Sequence, residues 1–216
     1  MSRARPSVAG AALRAEVETP QGIWSAGLGF AVTDPRCPAH TYVSCLHLLG
    51  PAGGLPVPLA PAAFFPDAVP IVDAYDQALL ALSTGLVDVP RATAEVPWRD
   101  ILALQLPPLH GCHLYVRRRE AASAGEQLNI AAPPRDGRPP WVHPATVERA
   151  VGPLFTVRLQ SPDTSPRGWS GAPVLDARAR WVGMLVRGST GSAVAVHASA
   201  VVVQLRHAYA ARVTAG

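Results

Sequence analysis

The chain has 216 residues, of which 49% are hydrophobic and 16% charged, enough for a sizeable core and too apolar for global disorder. Its 23 prolines and 18 glycines are spread along the length, which excludes a helical bundle or coiled coil, because an interior proline removes a backbone donor and clashes with the preceding turn. The net charge of +4 comes from arginine alone, since lysine is absent; the one dense run, Arg117-Arg118-Arg119, lacks the interleaved aromatics of a single-strand binder, so no nucleic-acid or membrane partner is expected.

Residues 1–12 are mostly small and read as a loose tail. Short β-like runs follow at Leu13–Glu18, Ile23–Val32 and Tyr42–Leu46. The stretch Gly50–Pro70 is rich in Pro, Gly and Ala and reads as loop with a short strand. Further runs lie at Ile71–Val72, Gln77–Leu82, Ile101–Leu106, His113–Val116, Gln127–Ala131, Ala145–Ala150 and Phe155–Gln160. Val174–Leu175, Trp181–Val186 and Ala193–His197 complete the series. Many short strands cut by turn residues indicate a sandwich or barrel. Helical spacing of apolar residues occurs between Ala198 and Val213, at Val201, Val202, Leu205, Ala208 and Tyr209. The turn-rich stretch Pro107–Gly111 divides the chain into units of 13–108 and 109–216.

Three cysteines, Cys37, Cys45 and Cys112, are too few for a disulfide framework, and no apolar run is long enough for a signal peptide or a membrane span. A reducing, cytoplasmic setting is expected, and the all-arginine bias points to a bacterial source.

The segment Arg167-Gly168-Trp169-Ser170-Gly171-Ala172-Pro173 suits a nucleophile. Its glycines allow tight turns, which would free the N–H groups of Gly168 and Ser170 to stabilise an oxyanion. A Ser–acid–His order fails on inventory: after Ser170, Asp176 is the last acid in the chain. A His–Asp–Ser order needs a histidine well upstream at a strand end, and His47 in Thr41-Tyr42-Val43-Ser44-Cys45-Leu46-His47-Leu48 has that context, an apolar strand delivering a histidine into a loop. Two groups, Cys37/His40/Cys45/His47 and His110/Cys112/His113, have ligand chemistry, but their spacing fits no common zinc module, so no metal or other cofactor is expected.

Taken together these segments resemble the trypsin-like (chymotrypsin-fold) serine peptidases, and small intracellular bacterial members in particular. Gly27–Val32 is similar to the strand before the histidine, and Tyr42–His47 to the V-x-T-A-A-H motif. Gly168–Pro173 is similar to G-D-S-G-G-P, and Trp181–Val186 to the strand after the serine. The resemblance covers about residues 22–205. It implies an all-β fold of two antiparallel Greek-key β-barrels with a C-terminal α-helix, the first carrying His and Asp and the second Ser. It implies peptide-bond hydrolysis of a protein or peptide substrate through an acyl-enzyme, with His47 as base and Ser170 as nucleophile. Two acids match the family's D-[IL]-A-L-L-x-L strand. Asp76 is preferred, because Ala78 sits two positions on and a strand precedes it; Asp100, in Asp100-Ile101-Leu102-Ala103-Leu104, is the rival. By position, Thr164 would floor the specificity pocket, with Gly188 and Ala193 as small walls, so a small or medium uncharged side chain is expected at the cleavage position. Trp169 replaces the acid before the serine, so control by a partner protein or a neighbouring loop is expected in place of proteolytic maturation. A catalytically weak binding or regulatory module on the same fold is the alternative.

Overall fold

Residue alternation builds the second half of the molecule. Along Leu154–Leu159, Phe155, Val157 and Leu159 are buried while Thr156 and Arg158 face outward, the period of two expected of a strand with one face on a core. The structure, a computed structural model, describes residues 12–19, 22–25, 27–55, 68–74, 78–89, 97–109, 114–133 and 142–215.

Nine strands form the first half: β1 (Leu13–Ala15), β2 (Val17–Thr19), β3 (Gly22–Trp24), β4 (Gly29–Val32), β5 (His40–Ser44), β6 (Pro70–Asp73), β7 (Leu79–Leu82), β8 (Gly85–Leu86) and β9 (Leu102–Leu106). Seven of them make one sheet in the order β7-β6-β1-β4-β5-β9-β8, and β2 and β3 form a separate hairpin. The second half contains β10 (Gln127–Ala131), β11 (Val142–Val151), β12 (Leu154–Leu159), β13 (Pro173–Leu175), β14 (Trp181–Ser189) and β15 (Ser192–His197). These close into a barrel, β10-β11-β12-β15-β14-β13, entirely antiparallel and with the crossovers of a Greek key. The fold is therefore all-β, with a closed six-stranded barrel, a second sheet and one C-terminal helix, Ala198–Ala215. Among the described residues the expected first barrel takes the form of a seven-stranded sheet.

Two of the expected strands are each broken in two. Leu13–Glu18 divides between β1 and β2, and Ile23–Val32 between β3 and β4, where Gly27 takes φ +63°. The Tyr42–Leu46 run ends at Ser44, and residues Leu46–Leu49 form a 3₁₀ turn instead. The helix carries Val201, Val202, Leu205, Ala208 and Tyr209 on its buried face, as their spacing predicts.

One apolar core spans both halves. Phe30 from β4 meets Tyr115 and Trp181 edge-to-face, with centroids 5.6 and 5.1 Å apart. The helix follows β15 and reaches back to the first half: Tyr209 Oη lies 2.9 Å from Thr41 Oγ1, and Arg206 grips Asp34 with three hydrogen bonds of 2.6–2.9 Å. Among the described residues, no helix is long and apolar enough to cross a membrane.

Burial alone would push the Asp34 carboxyl up, but the hydrogen bonds from Arg206 and from the Arg36 N–H outweigh it and hold the group below the usual carboxylate range. The pair therefore stabilises the fold above the ordinary carboxylate value of about 3.9 and loses that contribution as pH falls through the lower folded value. Asp34→Asn should cost on the order of 2 kcal/mol at pH 7. In thermal unfolding, the gap between wild type and variant should close as the pH is taken below about 3.9.

Candidate active site

The β5–β9 ladder brings His47 and an acid together. Ser44 pairs with Leu102, so the residues leaving β5 and those entering β9 meet at one end of the ladder. His47 lies on the 3₁₀ turn three residues past Ser44, and Asp100 two residues before Leu102. Asp100 engages His47 at two points. One carboxylate oxygen accepts the His47 backbone N–H at 2.8 Å, and the other is hydrogen-bonded to Nδ1. This fixes the ring's rotation and, among the described residues, leaves Nε2 without a hydrogen-bond partner.

Asp100 is thus the acid on His47, where the sequence favours Asp76. Asp76 itself lies outside the described residues, but the flanking strands β6 and β7 occupy the far edge of the sheet. Two strands, β1 and β4, separate β6 from β5, and each strand step is about 4.8 Å.

Ser170 arrives on two successive turns, closed by Trp169 N–H to Pro166 O (3.0 Å) and Ala172 N–H to Trp169 O (2.8 Å). Gly168 and Gly171, both at φ +88°, hold the third position of each turn, where a left-handed backbone favours glycine. Among the described residues, the N–H groups of Gly168 and Ser170 donate to no protein acceptor. The expected oxyanion donors are therefore unspent. The Ser170 hydroxyl donates to the Val186 carbonyl at 3.3 Å rather than to His47.

Trp169 is buried, and its indole stacks on the His143 ring of β11 with centroids 4.1 Å apart. His143 Nε2 lies 3.0 Å from the Ala132 carbonyl. Burial pushes the His143 imidazole below its ordinary value, partly opposed by that carbonyl, so the stack is neutral at neutral pH. His143 could not be singled out from sequence, since nothing in a lone histidine 26 residues before the tryptophan marks it as a partner.

His47, Asp100, Gly168 and Ser170 line one cleft of about 480 Å³. Its apolar wall is Leu154, Pro166, Val186 and Val194. Of the expected pocket residues, Gly188 lines this cleft. Ala193 is buried in the barrel core, and Val194, pointing to the other face of β15, takes the cleft position. Thr164 sits outside the lining, its carbonyl accepting the Gly191 N–H at 3.0 Å.

Of the first suggested zinc group, the structure brings Cys45 and His47 together, and adds Asp100; their donor atoms lie within 4.8 Å of one another. The Cys45 thiol donates to Leu185 O at 3.3 Å, and burial, reinforced by the Asp100 charge, pushes it well above its ordinary value. A metal would need that thiolate and would have to break the His47–Asp100 pair, so the donor set suits an oriented imidazole better than a cation. The group His110, Cys112 and His113 lies outside the described residues.

No family model and no curated protein sequence matches the chain. Among solved structures it is similar to the Rv3671c protease of M. tuberculosis. Against the active form the TM-score is 0.60 at 18% identity, covering 91% of this chain and 79% of that one. Against the inactive form it is 0.57 at 17% identity, covering 92% and 88%. The likeness establishes a chymotrypsin-like fold.

Gly171 is the tightest point of the site. A Cβ there would lie 1.7 Å from the Leu28 carbonyl oxygen, whereas one on Gly152, at φ +57°, would meet open space. Gly152→Ala should cost about 1–2 kcal/mol in urea unfolding, the price of the left-handed backbone alone. Gly171→Ala should exceed that by at least about 2 kcal/mol.

Proposed function

We propose that this protein is a serine endopeptidase in which Ser170 is the nucleophile, His47 the general base and acid, and Asp100 the group that orients it. The supporting observation is that three segments distant in sequence converge on one cleft with His47 already clamped by Asp100. The neighbour Rv3671c is described as a protease in both forms, which agrees with this reading.

In the proposed reaction the Ser170 Oγ attacks the scissile carbonyl carbon while His47 Nε2 takes its proton. The oxyanion is met by the N–H groups of Gly168 and Ser170. Breakdown cleaves the C–N bond, and the proton on Nε2 passes to the leaving amine. Water then repeats the sequence on the acyl-enzyme and restores Ser170. Asp100 keeps Nδ1 protonated and stabilises the imidazolium; it takes no proton itself. The apolar wall of Leu154, Pro166, Val186 and Val194 suits a small or medium uncharged side chain at the cleavage position. Cys37 and Cys45 are free thiols, which fits the reducing, cytoplasmic setting proposed from the sequence.

One observation favours a second reading. Because the Ser170 hydroxyl donates to Val186 O, that hydrogen bond must be given up before His47 can take the proton. A module with weak or no activity, or one released by a partner protein, would rest in this geometry.

An active-site-directed fluorophosphonate separates the two. Wild-type protein should be labelled at Ser170, and Ser170→Ala and His47→Ala should not be. Absence of wild-type labelling under any condition would support the inactive module. Asp100→Asn should cut peptide turnover by roughly 10³–10⁴, because it favours the wrong imidazole tautomer. Asp76→Asn should change it by less than about threefold; the reverse ranking would overturn the assignment of Asp100.

A further inference from the structure

Four ionisable residues line the cleft: His47, Asp100, Arg167 and Arg187. Asp100 commits both of its oxygens to His47. The two arginines are exposed and, among the described residues, have no ion pair or side-chain hydrogen bond. Other arginines differ: Arg118, Arg180 and Arg206 are paired with Glu126, Asp176 and Asp34. Arg36, Arg117, Arg119, Arg149 and Arg178 also lack an ion pair among the described residues, but of the unpaired arginines only Arg167 and Arg187 line the cleft.

Placement brings both arginines close to the reacting atoms. Arg167 immediately precedes Gly168, whose N–H is unspent; Arg187 immediately follows Val186, whose carbonyl accepts the Ser170 hydroxyl. Their two segments abut, since a Cβ on Gly188 would lie 2.4 Å from Pro166 Cγ. The guanidiniums thus rise from adjoining walls of one opening. Each offers a planar fork of donors that matches a carboxylate, and a cleft bounded by low-dielectric walls strengthens the attraction.

We propose that the cleft selects acidic peptide segments, with an Asp or Glu carboxylate within about three residues of the scissile bond held by Arg167 and Arg187. This rests on the peptidase reading above and adds the substrate class to it. The apolar wall receives the side chain at the cleavage position; the arginines read the charge beside it.

The test uses peptides with a small apolar residue at the cleavage position and Glu or Gln at each flanking position in turn. Rates are normalised to fluorophosphonate-labelled sites. Glu should raise kcat/KM about three- to tenfold over Gln at one or more positions at low salt, and the advantage should shrink toward parity at about 0.5 M salt. Arg167→Glu/Arg187→Glu should abolish it or turn it toward Lys. Arg178→Glu, an exposed change of the same sign away from the cleft, should leave it intact. Binding of the same peptides to Ser170→Ala protein, read by fluorescence anisotropy, reports the preference without turnover. Equal affinity for Glu and Gln peptides, or a preference that survives the double reversal, would overturn the proposal even if the protein labels and cleaves. Loss of labelling and turnover with the binding preference retained would instead sink the peptidase reading alone.

Discussion

The hydrogen bond from the Leu28 N–H to the Ser170 carbonyl, 2.7 Å long, joins the first half of the molecule to the turn that carries Ser170. Everything at the site is indexed to it. Leu28 O accepts the Ser44 hydroxyl at 2.5 Å, so the end of β5 is held to the same residue. Leu185 O accepts both the Gly171 N–H, at 2.7 Å, and the Cys45 thiol, at 3.3 Å. Ser44 and Cys45 lead directly to His47, and Gly171 follows Ser170. The relative position of His47 and Ser170 is thus set by a backbone lattice. Each bond is worth only about 1 kcal/mol net, but together they fix a geometry that side-chain packing alone would leave loose. Gly27 and Gly171 are required by this approach: a Cβ on Gly27 would lie 2.8 Å from Ser170 O, and on Gly171 nearer still to Leu28 O.

Charge is buried in this protein where a partner spends it. Asp34 meets Arg206 and the Arg36 N–H, Asp176 meets Arg180 and two backbone N–H groups, and Asp100 meets His47 twice. The same logic keeps Cys45 a thiol. Ionising it would place a second negative charge beside Asp100 in an apolar setting, so it serves as a small packed donor beside the site.

Much of this architecture is legible in the sequence because it is written in local periods. Period-two runs mark β12 and β15, a fully apolar run marks the doubly buried β14, and a 3.6-residue period marks the helix. His47 and Ser170 are legible because turn-forming residues follow one and surround the other. The choice between Asp76 and Asp100 was not local. Both precede apolar runs of similar pattern, and it is strand order that puts one of those runs, β9, beside β5. The runs themselves do not separate them, because their burial depends on strand order. Leu79 and Leu82 in the first are 61% and 50% exposed, on an edge strand, whereas the second is the nearly wholly buried β9. Of the expected pocket residues, Gly188 lines the cleft, and Ala193 differs from its cleft-lining neighbour by register: a slip of one position exchanges Ala193, facing the core, for Val194, facing the cleft.

The residue before Ser170, Trp169, shows how an uncharged group can hold a turn in place. A carboxylate in this place needs a cation delivered to it, and its hold depends on that cation's protonation and on salt. The Trp169 indole needs no such delivery. Its ring is buried in the barrel core beside Leu28 and Ala172, and its flat face is covered by His143, which β11 and the Ala132 carbonyl keep in place. Burial of an indole is worth several kcal/mol of apolar transfer and is nearly independent of ionic strength. The turn that exposes the Gly168 and Ser170 N–H groups is then built on folding, with the Ser170 hydroxyl resting on Val186 O.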